Sequence, residues 1–230
     1  MKHIDTVRHM GIDPGHNAGG LCVIDGKSAI VVCASWKKMT RKSGNVWKVQ
    51  IEIADGPTTT TEHVSVYHAL DHIWGSITWI GSYYLAVEQP FIPHRGMKGL
   101  VKLIESAGAA VATWAPAALG LLRAPPNRWR GQVLHLAART KAKDAEARAV
   151  EWSMEEHPRV KLLKIGHVSE AYCIAKFLLF ALESGPVSDP ESYHLGTSPR
   201  QRLQRLQAHG LHLAKIHRLE RPPKSPNEPP

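Results

Sequence analysis

Four side chains in this sequence have the types and settings for cation chemistry. Asp13 stands in "MGIDPGHNAGG", where an apolar run meets a cluster of turn residues, and Glu88 ends "YYLAVE" just before Pro90 closes that run. His167 and Glu170 in "HVSEA" are spaced i, i+3, which puts them on one face of a helix. A buried carboxylate is costly unless it is paired or holds a metal. Acids at the ends of two apolar strands, with a His/Glu pair at a helix start, therefore predict a shared cation site. Carboxylate oxygens suit hard divalent ions such as Mg²⁺, and Mn²⁺ accepts an added imidazole. Two such ions roughly 3.5–4 Å apart can activate a water and stabilise the leaving oxygen of a phosphodiester, with Asp13 as the bridging ligand. Each fragment alone has a plainer reading: a strand running into a turn, a salt-bridged strand end, or a Glu favoured by the dipole at a helix start.

The elements around these residues supply the means of bringing them together. Val7 to Asp13 predicts a strand entering a Pro-Gly turn, and "GLCVID" and "SAIVVCASW" predict two more around "DGKS", giving three antiparallel strands. "NVWKVQIEIA" adds a strand, while "DGPTTTT" reads as a loop ending in a helix cap. A helix is expected from Glu62, with Val66, Leu70, Ile73, Ile77 and Ile80 forming one apolar stripe. "YYLAVEQPF" is a buried strand, and apolar residues at 100, 103, 104, 107 and 111 again have helical spacing. "LGLLRAPPNRWRG" reads as a short strand broken by Pro125 and Pro126, followed by a basic loop. "KAKDAEARAVEWSMEEH" is a charged surface helix ended by Pro158, and after the short apolar "VKLLKI" comes "HVSEAYCIAKFLLFALESG", a helix apolar over most of its circumference. Strands first, then alternating helices and strands, predict an α/β mixed sheet whose strand ends meet at one edge, where open α/β sheets place ligands.

Composition narrows the classes. The 230 residues suffice for one well-buried domain and an appendage. Twenty-nine Lys and Arg against 20 Asp and Glu, a formal charge of +9, favour a polyanionic partner. Cys22, Cys33 and Cys173 are too few and scattered for a disulfide framework and form no CxxC pair, which fits a reducing cytosol. No run approaches the ~18–20 apolar residues of a membrane helix, and "MKHIDTVRHM" lacks the core of a signal peptide. A soluble, cytoplasmic protein with no membrane partner is expected. After Gly185 the chain changes character: residues 200–230 hold seven Lys or Arg against two acids and end in "RPPKSPNEPP". The expected organisation is one folded domain over 1–184 and a basic, Pro-rich extension over 185–230, partly helical or disordered.

Taken together, "GIDPG", "LAVEQPF" and "HVSEAYCIA" resemble the first-strand, central-strand and final-helix motifs of the RuvC-type Holliday junction resolvases, nucleases of the RNase H-like fold, over roughly residues 8–182. The resemblance implies an RNase H-like mixed sheet with helices on both faces. It implies that Asp13, Glu88, His167 and Glu170 are catalytic and bind two Mg²⁺ ions, with Mn²⁺ able to substitute. Glu170 stands where an Asp is commoner, and its extra methylene bears on metal spacing. Phe91 matches an aromatic residue inserted at the junction centre, His94 and Arg95 follow it as backbone contacts, and Arg130 and Lys143 resemble cations near the scissile phosphate. In-line attack by water on a DNA four-way junction, leaving a 5′-phosphate and a 3′-hydroxyl, would need two active sites and hence a homodimer. The helix around 62–80, with Trp74 and Trp79, is the expected interface. The setting implied is a bacterial or phage-infected host cell.

Three other readings are open to the sequence. An actin-like sugar kinase would need a second such domain and a further glycine-rich phosphate loop. A related nuclease acting on other branched DNA or on RNA would carry the same acids. A catalytically inactive DNA-binding module of the same fold would have no reason to keep buried negative charge beside a phosphate-binding surface.

Overall fold

The computed structural model describes residues 7–15, 17–89 and 97–183, the side chains of 97–103 excepted. Seven strands form one sheet: β1 (Arg8–Asp13), β2 (Ala18–Ile24), β3 (Ile30–Arg41), β4 (Gly44–Ile53), β5 (Thr58–His63), β6 (Tyr83–Glu88) and β7 (Gly120–Ala124). Their order is β5-β4-β3-β2-β1-β6-β7. The pairs from β5 to β1 are antiparallel, while β6 lies parallel to β1 and β7 parallel to β6. The α-helices of the described residues are α1 (Val66–Ile77), α2 (Met97–Trp114), α3 (Pro126–Leu134), α4 (Ala142–Glu156) and α5 (Gly166–Glu183). This is the α/β mixed sheet with helices on both faces that the sequence predicts.

Alternation along each strand divides the apolar side chains into two cores. Met10, Ile12, Leu21, Val23 and Val32 face α1 and α2, where Leu70, Ile73 and Trp114 meet them. Cys22, Ile24, Cys33, Tyr84 and Ala86 face α5, which is backed in turn by α3 and α4. A helix covered on two sides must be apolar nearly all round, which accounts for the composition of α5. Its one interior cation, Lys176, is buried with Nζ 3.4 Å from Glu156 Oε2 and packs over the Trp152 ring.

Several local expectations are corrected. "DGPTTTT" is not a loop leading to a cap: Thr58–His63 pair with β4 as the edge strand β5, and a β-branched run suits a pleated surface. Glu62 belongs to that strand, and α1 starts at Val66 after Ser65, whose hydroxyl accepts the His68 N–H as N-cap. The segment after Pro125 is helix α3 rather than a basic loop. Pro126 is its first residue, where a missing N–H costs nothing. "VKLLKI" forms a 3-10 turn over Lys161–Lys164. Its first amides are held by the buried Glu52 of β4, whose carboxylate accepts from Lys161 N at 3.0 Å and Leu162 N at 2.7 Å. Trp74 packs partly buried against the α1-side core and Trp79 is 49 % exposed.

Candidate active site

The C-terminal ends of the parallel neighbours β1 and β6 lie side by side, Ile12 opposite Val87 in register. Asp13 and Glu88 follow these two residues, and by alternation both project toward α5. The helix can come close enough to meet them because glycines line its seat. A Cβ on Gly11 of β1 would lie 2.1 Å from Ala171 O, and one on Gly20 of β2 would lie 2.2 Å from His167 O. With only hydrogens there, the N-terminal half of α5 rests on the backbone of β1 and β2.

His167 and Glu170 consequently reach the strand end. Asp13 is 5 % exposed and its Oδ2 is 2.5 Å from His167 Nδ1. Asp13, His167 and Glu170 each offer a ligand atom within 4.8 Å of the others, the one such group among the described residues. Glu88 stands beside this set rather than in it. Arg130 of α3 links the two: its guanidinium donates to Glu170 Oε1 at 3.0 Å and lies 3.8 Å from Glu88 Oε1. Trp129 Nε1–H donates to the same Glu88 oxygen at 3.1 Å, and the Arg130 guanidinium stacks over the Trp129 ring, 5.0 Å from its centre.

Crowded acids in a partly dry site resist ionisation. Burial, then the negative charges of Asp13 and Glu170, push the Glu88 carboxyl well above the usual range, against the pull of Arg130 and Trp129. Burial and Asp13 raise Glu170 to about 7, with Arg130 and His167 opposing. The hydrogen bond with Asp13 raises His167, against burial. The arrangement is therefore short of positive charge, and oxygen and imidazole donors at this spacing fit a divalent cation. A group of this kind could bind a metal ion.

The structure brings together Asp13, Glu88, His167, Glu170 and Arg130. Lys143 is exposed in the first turn of α4 and stands outside the acidic group. Phe91, His94 and Arg95 lie outside the described residues, as does the extension over 185–230. Sequence reasoning missed Trp129, which orients Glu88 while its ring packs in the α5-side core. Its position directly before Arg130, inside "PPNRWRG", is the available signal, and the two prolines that suggest a loop conceal it.

No protein-family model and no curated protein matches the chain. Among solved structures the chain is similar to a Thermus thermophilus RuvC structure at 16 % identity, covering 76 % of this chain and 95 % of that one, with a TM-score of 0.42. It is similar also to T. thermophilus RuvC in complex with Holliday junction substrate, at 15 % identity, 77 % and 96 % coverage and a TM-score of 0.43.

Proposed function

We propose that this protein is a metal-dependent, structure-selective endodeoxyribonuclease that resolves four-way DNA junctions by paired symmetric nicks. The observation that carries the reading is the meeting of Asp13, His167 and Glu170 within 4.8 Å at a strand end, with Glu88 and Arg130 beside them. A chain of net charge +9 that nevertheless concentrates acids at one point is suited to hold cations against a polyanion. The three short motifs that resemble the junction resolvases supply the choice of substrate.

In this reading Asp13, Glu88, His167 and Glu170 would hold two Mg²⁺ ions, or Mn²⁺ in their place. Bound there, the ions would lower the pKa of an attacking water and neutralise charge on the phosphoryl and leaving oxygens. The residues themselves position. Trp129 fixes one oxygen of Glu88, and Asp13 orients the His167 ring. Arg130, set between Glu170 and Glu88, would be the cation available to a phosphate oxygen, where it would stabilise the charge developing there. Lys143, His94 and Arg95 act as further phosphate contacts, and Phe91 enters the junction centre. The nuclease domain spans 1–184 and the basic extension 185–230 adds affinity. Two copies in a closed dimer present two sites to opposite strands, inside a bacterial or phage-infected cell.

The test is incubation of the purified chain with a labelled four-way junction and a matched linear duplex, in Mg²⁺, Mn²⁺ or chelator. Metal-dependent symmetric nicks in the junction alone are the expected result. Binding without cleavage would instead favour an inactive module, and indiscriminate cutting of duplex or RNA would reject the junction as the substrate.

A further inference from the structure

Strands β3 and β4 are longer than their neighbours, and the surplus lies at one end. Lys37 is the last β3 residue opposite β2, where it faces Ala18, and Trp47 is the first β4 residue opposite β5, where it faces His63. Beyond these points the pairs Met39/Val46, Thr40/Asn45 and Arg41/Gly44 continue as a two-stranded ribbon tied to the sheet by the Lys38 N–H to Asn17 O bond of 2.7 Å. The ribbon leaves the sheet at the end where Asp13 sits, since Asp13 pairs with Gly20 and the β1–β2 turn follows.

Its charge is one-sided. Residues 37–48 contain Lys37, Lys38, Arg41, Lys42 and Lys48 and no acid. Register runs Asp13, Gly20, Ser35 across three strands, so Lys37, two residues on from Ser35, projects from the same face as Asp13. Lys37 is also directly opposite Lys48. Like charges opposite one another destabilise a strand pair, and the one acid in that cross-strand row, Glu62 opposite Lys48 on β5, is also engaged by Arg41. One acid against Lys37, Lys48 and Arg41 leaves an excess of positive charge on an overhang at the edge that carries the acidic group, and such an excess suits an external anion.

We infer that the β3–β4 overhang is a phosphate-backbone clamp for a nucleic-acid duplex arm leading into the acidic site, with Lys37, Lys42 and Lys48 as its contacts. A two-stranded ribbon has the dimensions to follow a groove, and cations along one face, Lys37 and Lys48, with Lys42 at the tip neutralise phosphates without reading sequence. The duplex identity of the anion rests on the nuclease reading above.

The experiment compares full-length Lys37→Gln/Lys42→Gln with the parent and with Lys27→Gln, which removes one exposed charge from the β2–β3 turn at the opposite end of the sheet. Binding to a labelled junction and to linear duplex is measured by fluorescence polarisation across a salt series, in chelator so that nothing is cut. The clamp predicts that the double variant weakens binding equally for unrelated sequences and lowers the slope of log K against log salt by about 1 for each phosphate left without its lysine, while Lys27→Gln follows the parent. A slope unchanged in the double variant, or lowered as much per charge by Lys27→Gln, overturns the inference. Because the readout is binding, a chain that cuts junctions but shows no change in slope rejects the clamp alone. A chain that cuts nothing yet shows the change keeps the clamp and rejects the nuclease.

Discussion

Asp13 and Glu88 differ in how they are held, and that sets what their removal does. Asp13 is tied to His167 and belongs to the 4.8 Å group, whereas Glu88 is fixed by Trp129 and Arg130. Asp13→Asn and Glu88→Gln keep shape and remove charge. Both are expected to bind junctions like the parent and to lose cleavage by more than the roughly 10–100-fold that losing an outer partner costs a metal site. Gel-shift and cleavage assays on the same preparations check this, and cutting at the parental rate by either variant would remove that residue from the active site. His9 makes a prediction of another kind. It is 6 % exposed, stacks on Tyr84, has no partner for Nδ1 among the described residues, and burial pushes its pKa from 6.5 down to about 4. Above pH 6.5 folded and unfolded chains both carry it neutral. As pH falls from 6.5 toward 4 the unfolded chain takes the proton first, so stability is lost by ~3 kcal/mol at the lower limit. His9→Phe keeps the ring stacking and should remove this part of the acid sensitivity, read from urea midpoints at pH 7 and pH 4.5.

Among the elements, Glu52 fastens the hairpin sheet to the segment that introduces α5. Its carboxylate satisfies the first two amides of the 3-10 turn just ahead of His167. Glu52→Ala leaves two donors without an acceptor and is expected to cost about 2–3 kcal/mol, with Glu52→Gln retaining part of the stability. Chemical denaturation measures both, and a change below ~0.5 kcal/mol would show the interaction to be dispensable. Elements that advertise themselves locally are legible in the sequence: the strands ending in Asp13 and Glu88, the apolar stripe of α1, and α5 with its His/Glu pair. Expectation and structure part where two local signals compete. Pro125-Pro126 suggests a break although proline also opens helices, and "TTTT" beside Asp-Gly-Pro suggests a loop although β-branched residues favour strands. The close seat of α5 is out of reach for a different reason. Gly11 and Gly20 read locally as a residue in a strand and a turn neighbour, and only the packed helix reveals what a Cβ would strike.

At the scale of the molecule, charge and chemistry are set apart. Asp13, Glu88 and Glu170 meet where β1, β6 and α5 come together, whereas the 29 Lys and Arg are spread along the chain and recur through the extension. Ending the chain after residue 184 retains every described element. Such a truncation is expected to melt like the parent and to cut bound junctions at a similar rate, while its affinity falls and depends less steeply on salt. Unfolding of the shortened chain, or an unaltered salt slope, would contradict the division at 184.

The place of α5 in the order of the chain has a consequence for synthesis. A chain that has left the ribosome only as far as Glu156 already carries Asp13, Glu88 and Arg130, but neither His167 nor Glu170, and the faces of β1 and β2 that α5 will cover are still bare. One late event, the docking of the last described helix, closes that core and completes the acidic group together. The last helix to emerge thus brings both the cover of that core and two of the three members of the Asp13, His167 and Glu170 group, so on the described chain the group comes together no earlier than the fold around it.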